Sequence, residues 1–320
     1  MMDSFVLKSV ASHDFEAVLA LITAQNVQGY GEAFVTANTL RAAWVTLDLA
    51  QDAWVAVAPG GALAGYADLR SDEPGRFDAA LYLAPGAGYV MAGEQLLRQA
   101  EWRAVARHGN PVGCALYGRA SAATPHVLQS FHRAGYVTRL SFLMMERSLD
   151  SPLEPAVWPE QTTVGLFVRE QDEQAVYNAD EEAALDKGYH TPLTFEQWAE
   201  RMNLNAASFD PGLWFVARVG GEVVGVALNY VTDAGVAWVD HLSVRRAWRG
   251  QGLGRALLLY SFAEFQRRGI DCVRLSVDSE SLTNAPRLYE RVGMLTTQEY
   301  HILKKICDSD SLHPFAAKTT

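Results

Sequence analysis

The chain has 320 residues, 49% hydrophobic and 20% charged, with a formal net charge of −10. That length accommodates two ordinary domains, and the mixture is that of a globular protein. The acidic balance excludes a surface built for nucleic acid. No apolar run approaches the ~18 residues of a membrane span, and Met1 to Phe5 lacks the basic start of a secretion signal, so a reducing, cytoplasmic setting is expected. Cys114, Cys272 and Cys307 are scattered without zinc or disulfide spacing, and Cys272 reads as a small core residue. The histidines show no paired spacing, so no metal site is expected.

In chain order, a strand (Phe5–Val10) leads into a helical segment (Phe15–Ala24). A hairpin follows around Gly60-Gly61, with Trp54–Ala58 as its first arm. Next come a strand at Leu81–Leu83, a long helix (Gly93–Arg107), a buried strand (Gly113–Leu116), a short helix and a closing strand (Leu140–Glu146). Pro152, Pro155 and Pro159 then make Asp150–Glu160 a stiff, extended connector. After it the same order recurs: Leu166–Val168, Asp172–Leu185, a hairpin at Gly220-Gly221 with Leu213–Val219, then Trp238–Val244, Gly254–Arg268, Cys272–Val277, a short helix and Glu299–Lys304. Asp14-x-x-Ala17-Val18 answers Asp172-x-x-Ala175-Val176 at a shift of 158. Trp54, Gly60-Gly61 and Gly65 answer Trp214, Gly220-Gly221 and Gly225 at 160, and Phe131-His-Arg-Ala-Gly135 answers Tyr289-Glu-Arg-Val-Gly293 at 158. A repeat this long is a whole domain duplicated. The expected division is 1–150, a connector at 151–160, 161–307, and a polar tail at 308–320. Each half reads as a mixed α/β sheet with helices on both faces.

Residues 242–255, Leu-Ser-Val-Arg-Arg-Ala-Trp-Arg-Gly-Gln-Gly-Leu-Gly-Arg, carry the most chemistry. An apolar strand ends at Val244, and a helix-forming run starts after Gly254. Glycines at 250, 252 and 254 let the backbone turn tightly and approach a bound group. N–H groups opening a helix, at the positive end of its dipole, suit a phosphate. Arg245, Arg246, Arg249 and Arg255 add forked donors. From Arg245 to Arg268 there are six arginines and one acid, Glu264. Such a run is either a solvated face or, where it meets a glycine turn, a site for a phosphate-bearing ligand. A dinucleotide fingerprint counted from Gly250 would need glycine where Arg255 stands, and a Walker loop would need a lysine.

Arg249-x-x-Gly252-x-Gly254, after a strand ending Leu242-Ser243-Val244, resembles the acetyl-CoA loop of the GNAT N-acetyltransferases. The order of elements resembles that fold over nearly the whole chain, strongly in 212–304 and weakly before 150. The doubled layout is similar to tandem GNAT proteins of the mycothiol synthase type. The resemblance implies two tandem GNAT-like domains, each a mixed, mostly antiparallel sheet flanked by helices. It implies acetyl-CoA-dependent transfer to a small-molecule or peptide amine. No serine or cysteine nucleophile stands beside a base, so direct attack in a ternary complex is expected rather than an acetyl-enzyme.

The resemblance further implies that Gly250, Gln251, Gly252, Leu253, Gly254 and Arg255, with Arg249, hold the pyrophosphate. Backbone groups of Leu242, Ser243 and Val244 would pair with the pantetheine arm and polarise the thioester oxygen. Tyr289, in Leu288-Tyr-x-x-x-Gly293, would protonate the departing thiolate. Asn284, at Asn-x-x-x-x-Tyr spacing, is either a donor to pantetheine or a helix N-cap backed by Pro286. Asp240 is the candidate base, with His241 beside it; strand alternation sends the two to opposite faces. Asp180, Glu181, Glu182 and Asp186, ahead of Trp198, lie where the family varies its acceptor site. They either attract a cationic amine or form an exposed helix face.

In the first half the corresponding turn reads Gly88-Tyr-Val-Met-Ala-Gly93, so Gly88 and Met91 replace Arg249 and Gly252, and Phe131 replaces Tyr289. Bulk without positive charge predicts that this half does not hold CoA; alternatively, both rings are simply core aromatics. Two other functions compete: an acyl-CoA sensor without turnover, and a nucleotide-dependent oxidoreductase, against which stand Arg255 and the lack of a strand-tip acid. No nucleic-acid or membrane partner is expected, and the oligomeric state stays open.

Overall fold

A computed structural model describes residues 5–232 and 235–308; the expected tail beyond Asp308 lies outside the described residues. Two compact units divide the chain. One runs to Phe142 and resumes at Gln298, and the other is Leu143–Thr297.

The first unit contains β1 (Val6–Ser9), α1 (Phe15–Tyr30), α2 (Ala37–Val45), α3 (Leu49–Asp52), β2 (Ala53–Val57), β3 (Leu63–Glu73), β4 (Arg76–Leu83), α4 (Val90–His108), β5 (Ala115–Ser121), α5 (Pro125–Arg133) and the start of β6 (Val137–Ser148). Local chemistry sets several boundaries. Gly31 and Gly109 close α1 and α4 in the left-handed conformation, each N–H reaching back to a carbonyl four residues earlier. Pro125 begins α5, where a missing N–H costs nothing. The second unit continues with the rest of β6, β7 (Thr162–Leu166), α6 (Glu173–Ala184), α7 (Phe195–Arg201), β8 (Trp214–Val219), β9 (Glu222–Val231), β10 (Ala237–Val244), α8 (Leu253–Arg267), β11 (Cys272–Asp278), α9 (Ala285–Arg291) and the first residues of β12 (Leu295–Ile306). Gly220 and Gly221, at φ 58° and 87°, turn the β8–β9 hairpin.

In the first unit the strand order is β1-β2-β3-β4-β5-β12, and in the second β6-β11-β10-β9-β8-β7. Pairing is antiparallel except at β4–β5 and β10–β11, both parallel. The outer strand of each sheet therefore differs from the repeat boundary. Residues 300–306 pair with β5 in the first unit, from Tyr300↔Ser121 to Ile306↔Ala115, while Leu143–Ser148 belong to the second. Both strands have similar apolar patterns, so composition alone does not say which sheet each one edges. The register also brings together two cysteines 193 positions apart: Cys307 N–H donates to the Cys114 carbonyl, and the two Sγ atoms lie 3.0 Å apart as free thiols.

The connector is seated rather than free. Gln266 Nε2 donates to the carbonyls of Leu149 and Ser151, and Leu153 and Ala156 pack on the second unit's core. Trp158 meets Tyr260 edge-on.

Both faces of each sheet are buried, as helices on two sides require. Along β8, Trp214 and Val216 enter the cluster under α6 and α7, while Phe215 and Ala217 enter the one under α8. Among the described residues, no helix is long and apolar enough to cross a membrane. Leu303 of β12 is fully buried in the first unit's core with Leu116 and Phe131. Leu303→Ala is expected to cost about 2–5 kcal/mol. In hydrogen exchange, β5 should lose protection while β11 keeps it.

Candidate active site

The site begins where two parallel neighbours part. β10 and β11 pair at Ala237↔Val273 and Trp238↔Arg274, and no further register joins them among the described residues. On its other side β10 stays paired with β9 to Val244↔Gly225, with a bulge between Val239 and His241. The extra residue, Asp240, is exposed. The bulge inverts the alternation. Before it, Ala237 and Val239 enter the cluster under α8; after it, Leu242 and Val244 face that side, while His241 and Ser243 turn to α6. The simple opposite-face expectation for Asp240 and His241 is thus replaced by a phase change at Asp240.

The glycine turn follows. Gly250 and Gly252 have φ of 75° and 91°, a region open to glycine and strained for other residues. Gly252 caps α8, and the first helical bond is from Ala256 N–H to the Gly252 carbonyl. The N–H groups before Ala256 therefore open the helix without intrahelical partners. Gly254 is needed for another reason: a Cβ there would lie 3.2 Å from Leu288 of α9, so its absence lets the two helices approach. The residues of 242–255 named from sequence come together as strand, turn and helix start.

The charge around the turn differs from its linear appearance. Arg245 pairs with Glu182 at 2.7 Å and also with Glu222, and Arg246 pairs with Asp186 at 2.5 Å. Arg249 pairs with Asp186 while its Nε donates to the Val244 carbonyl at 2.8 Å. Arg255 pairs with Glu154 of the connector, and Arg267 and Arg268 both pair with Glu264. All six arginines are compensated by carboxylates, and five of them, counting Arg268 through Asp210, by carboxylates from outside the run. Burial disfavours charge on Glu182, yet the Arg245 guanidinium and the Arg246 N–H hold it below the usual carboxylate range. Glu182 of α6 and Asp186 just beyond its end thus brace the turn, while Glu181 pairs with His190.

Asp180 has a separate role. It is 2% exposed and accepts from His241 Nδ1 at 2.6 Å, Ser243 Oγ at 2.6 Å and Trp198 Nε1 at 2.9 Å. Burial alone would raise its pKa, but the imidazole and the two other donors pull it down to about 2. His241 moves the opposite way: burial disfavours its cation, and Asp180 overcomes this to raise it above the ordinary value. From sequence Asp180 reads either as a lure for a cationic amine or as part of an exposed helix face; its partners His241 and Ser243 stand 61 and 63 positions away and leave no local signal.

Tyr289 is 9% exposed in the α8-side core, where burial pushes its phenol up to about 12. Its counterpart Phe131 is wholly buried, against Gly118. Both rings are core aromatics, and only one carries a hydroxyl. Asn284 occupies the N-cap position of α9, but its side chain makes no capping bond; it is exposed, at φ 56° and ψ 36°. The capping alternative is therefore not the one adopted.

The first unit repeats the parting of strands and then closes it. β4 pairs with β5 only from Arg76↔Ala115 to Asp78↔Tyr117. Beyond that, Gln25 of α1 accepts from Leu83 N–H at 2.7 Å and donates to the Leu81 carbonyl at 3.0 Å. Leu83 lies opposite Gly65 as Val244 lies opposite Gly225, so these groups correspond to Val244 and Leu242. Position 25 corresponds to Ala183 at the shift of 158, a side chain too short to reach across. Among the described residues no cluster of three or more His, Cys, Asp or Glu is placed to hold a metal.

Comparison with known proteins fits this geometry. The family model described as the acetyltransferase (GNAT) family matches residues 173–294. A mycothiol acetyltransferase of Acidothermus cellulolyticus is 30% identical over 72% of this chain and 72% of that protein. Matches to two further proteins of that name span only 52% and 50% of their lengths. A GCN5-related N-acetyltransferase from Sphaerobacter thermophilus superposes with a TM-score of 0.78 at 33% identity, covering 96% of this chain and 97% of that one. A tandem GNAT protein from the clavulanic acid biosynthesis pathway shares the fold, with a TM-score of 0.63 at 16% identity over 94% and 98%.

Gln25→Ala is expected to destabilise the first unit by about 1–3 kcal/mol, because Leu83 N–H and the Leu81 carbonyl lose their partner. A lowered urea midpoint with an unchanged slope is the expected reading.

Proposed function

The chain belongs to the GNAT acetyltransferase family, and on that premise we propose that its second unit moves an acetyl group from acetyl-CoA to a primary amine of a small molecule or peptide. The observation that carries this reading is the parting of β10 from β11 directly beside the glycine turn that opens α8. A strand edge suits the amides of a pantetheine arm, as in β-augmentation. The helix start beside it suits a diphosphate.

Gly250, Gln251, Gly252, Leu253, Gly254 and Arg255 offer their backbone N–H groups to the diphosphate. Arg249 ties the turn to the strand end through the Val244 carbonyl, and its guanidinium, shared with Asp186, lies in reach of the same charge. Leu242, Ser243 and Val244 present the backbone of the strand edge, and a fixed N–H there stabilises the developing thioester oxyanion. Asn284, held exposed at the start of α9, is the side-chain donor proposed for the pantetheine arm.

Tyr289 gives its proton to the departing sulfur as the C–S bond breaks and the C–N bond forms. Its raised pKa keeps the phenol protonated beforehand. The burial that raises the phenol also raises a thiol leaving into the same surroundings, so the match between the two acids survives. The first unit, with Gln25 across its strand edge and no arginine at its turn, acts as a scaffold.

The acceptor panel begins with a mycothiol-type amine, because the curated relatives are mycothiol acetyltransferases. Acetyl-CoA should raise the melting temperature, and native mass spectrometry should count one molecule per chain; two would overturn the scaffold role. Tyr289→Phe should lower turnover by about 10–1,000-fold while leaving the acetyl-CoA melting shift nearly intact. Equal loss of both would contradict the role given to the phenol. Binding without thiol release across the amine panel would instead favour a sensor.

A further inference from the structure

We infer that His241, held by Asp180, accepts the proton of the incoming amine, an assignment that rests on the acetyltransfer reading and supplies the base that reading lacks. The geometry begins with the bulge in β10, which turns His241 and Ser243 together toward α6. There Asp180 meets both, and Trp198 Nε1 takes a further share of its charge. With these donors fixed around it, the carboxylate has little freedom to swing. An ionised carboxylate at 2.6 Å from Nδ1 is met by Nδ1–H, which leaves the lone pair of the neutral ring on Nε2.

Exposure distinguishes the two partners. The His241 side chain is 19% exposed and that of Asp180 is 3% exposed, so the ring, anchored through Nδ1, keeps part of its surface open. His241 immediately precedes Leu242, whose backbone belongs to the strand edge proposed for the donor. Asp240, by contrast, is exposed on the bulge itself; its part is to add negative charge beside the ring.

The charged groups that face His241 are Asp180 from α6, Asp240 from β10 and Lys187 from the segment after α6. Burial and Lys187 disfavour the imidazolium, and the two carboxylates outweigh them, so the ring titrates above its ordinary value of 6.5. A base of this kind is effective only when neutral, which places the acidic limb of turnover above that value. The step balances. The amine nitrogen forms its bond to the acetyl carbon and gives one proton to His241 Nε2. The C–S bond breaks, and the sulfur takes one proton from Tyr289. Asp180 is a positioning residue: it selects the tautomer and stabilises the imidazolium without itself being protonated.

The test uses the full chain with His241→Gln, Asp180→Asn and Asp240→Asn, with acetyl-CoA as donor and glucosamine and an alanyl dipeptide as probe amines. His241→Gln should lower kcat by about 100-fold or more while the acetyl-CoA melting shift stays as in the parent. Asp180→Asn should lower kcat and move the acidic limb to lower pH, because the carboxylate that raises the ring is gone. Asp240→Asn should keep most of kcat, with a smaller shift in the same direction. Long-range ¹H–¹⁵N spectra of the free protein should show His241 protonated on Nδ1, and this reading needs neither donor nor acceptor. An Nε2-protonated ring, an unmoved limb in Asp180→Asn, or a kcat loss confined to Asp240→Asn would overturn the assignment. A missing acetyl-CoA melting shift in the parent would instead overturn the acetyltransfer reading, and the spectra would still report on the pair.

Discussion

Asp180 sits 2% exposed between a helix and a strand, with an imidazole, a hydroxyl and an indole N–H turned toward it. Removing a carboxylate from water is costly unless donors replace the lost hydration, so α6 and β10 are held in one relation that keeps all three donors in place. The β10 bulge belongs to the same constraint. Were Asp240 held in regular alternation instead of bulged out, His241 and Ser243 would face α8, and the carboxylate would be left uncompensated. The strand edge, the histidine and the start of the glycine turn therefore share one frame.

The same helix secures the turn from its other end. Glu182, on α6, and Asp186, two residues past its end, take Arg245, Arg246 and Arg249. Partly exposed ion pairs of this kind contribute little to stability individually. Their effect here is geometric, because three guanidinium groups from one short segment are tied to one helix. A turn carrying several like charges and two left-handed glycines would otherwise sample many shapes, and its N–H groups would converge on a phosphate less often. The positive charge of the segment is balanced locally, so the anion recognition proposed for it would rest on oriented N–H groups and on shared, not free, guanidinium donors.

Duplication lets the chain show two solutions to one structural problem. In each unit a parallel pair of strands parts and leaves backbone groups in need of partners. The first unit satisfies them internally: the side-chain amide of Gln25 bridges Leu81 and Leu83, a bond pattern that another amide could also supply. The second unit has Ala183 at the matching place, and its edge is the one proposed to take the donor. Gly118 filled by the Phe131 ring, and Met91 at the turn, follow the same division. One unit is completed by its own side chains, while the other keeps the features that suit a donor.

Much of this was legible in the order of residues. The spacing of Arg249, Gly252 and Gly254, the repeat anchored by Asp14 and Asp172, and the exchange of Tyr289 for Phe131 are local or self-referential patterns; they carried the fold class and pointed to the glycine turn proposed for the carrier. Glycine at 250 and 252 answers a backbone angle, which the sequence itself dictates. What only the tertiary structure decided were partnerships between distant segments. Asp180 meets His241 across 61 positions, Arg246 and Arg249 meet Asp186 across 60 and 63, and residues 300–306 edge the first unit's sheet rather than the second's. Linear order records which side chains exist but not which surfaces pack. A charge or a strand therefore shows its chemistry only when folding has chosen the neighbour that neutralises, orients or covers it.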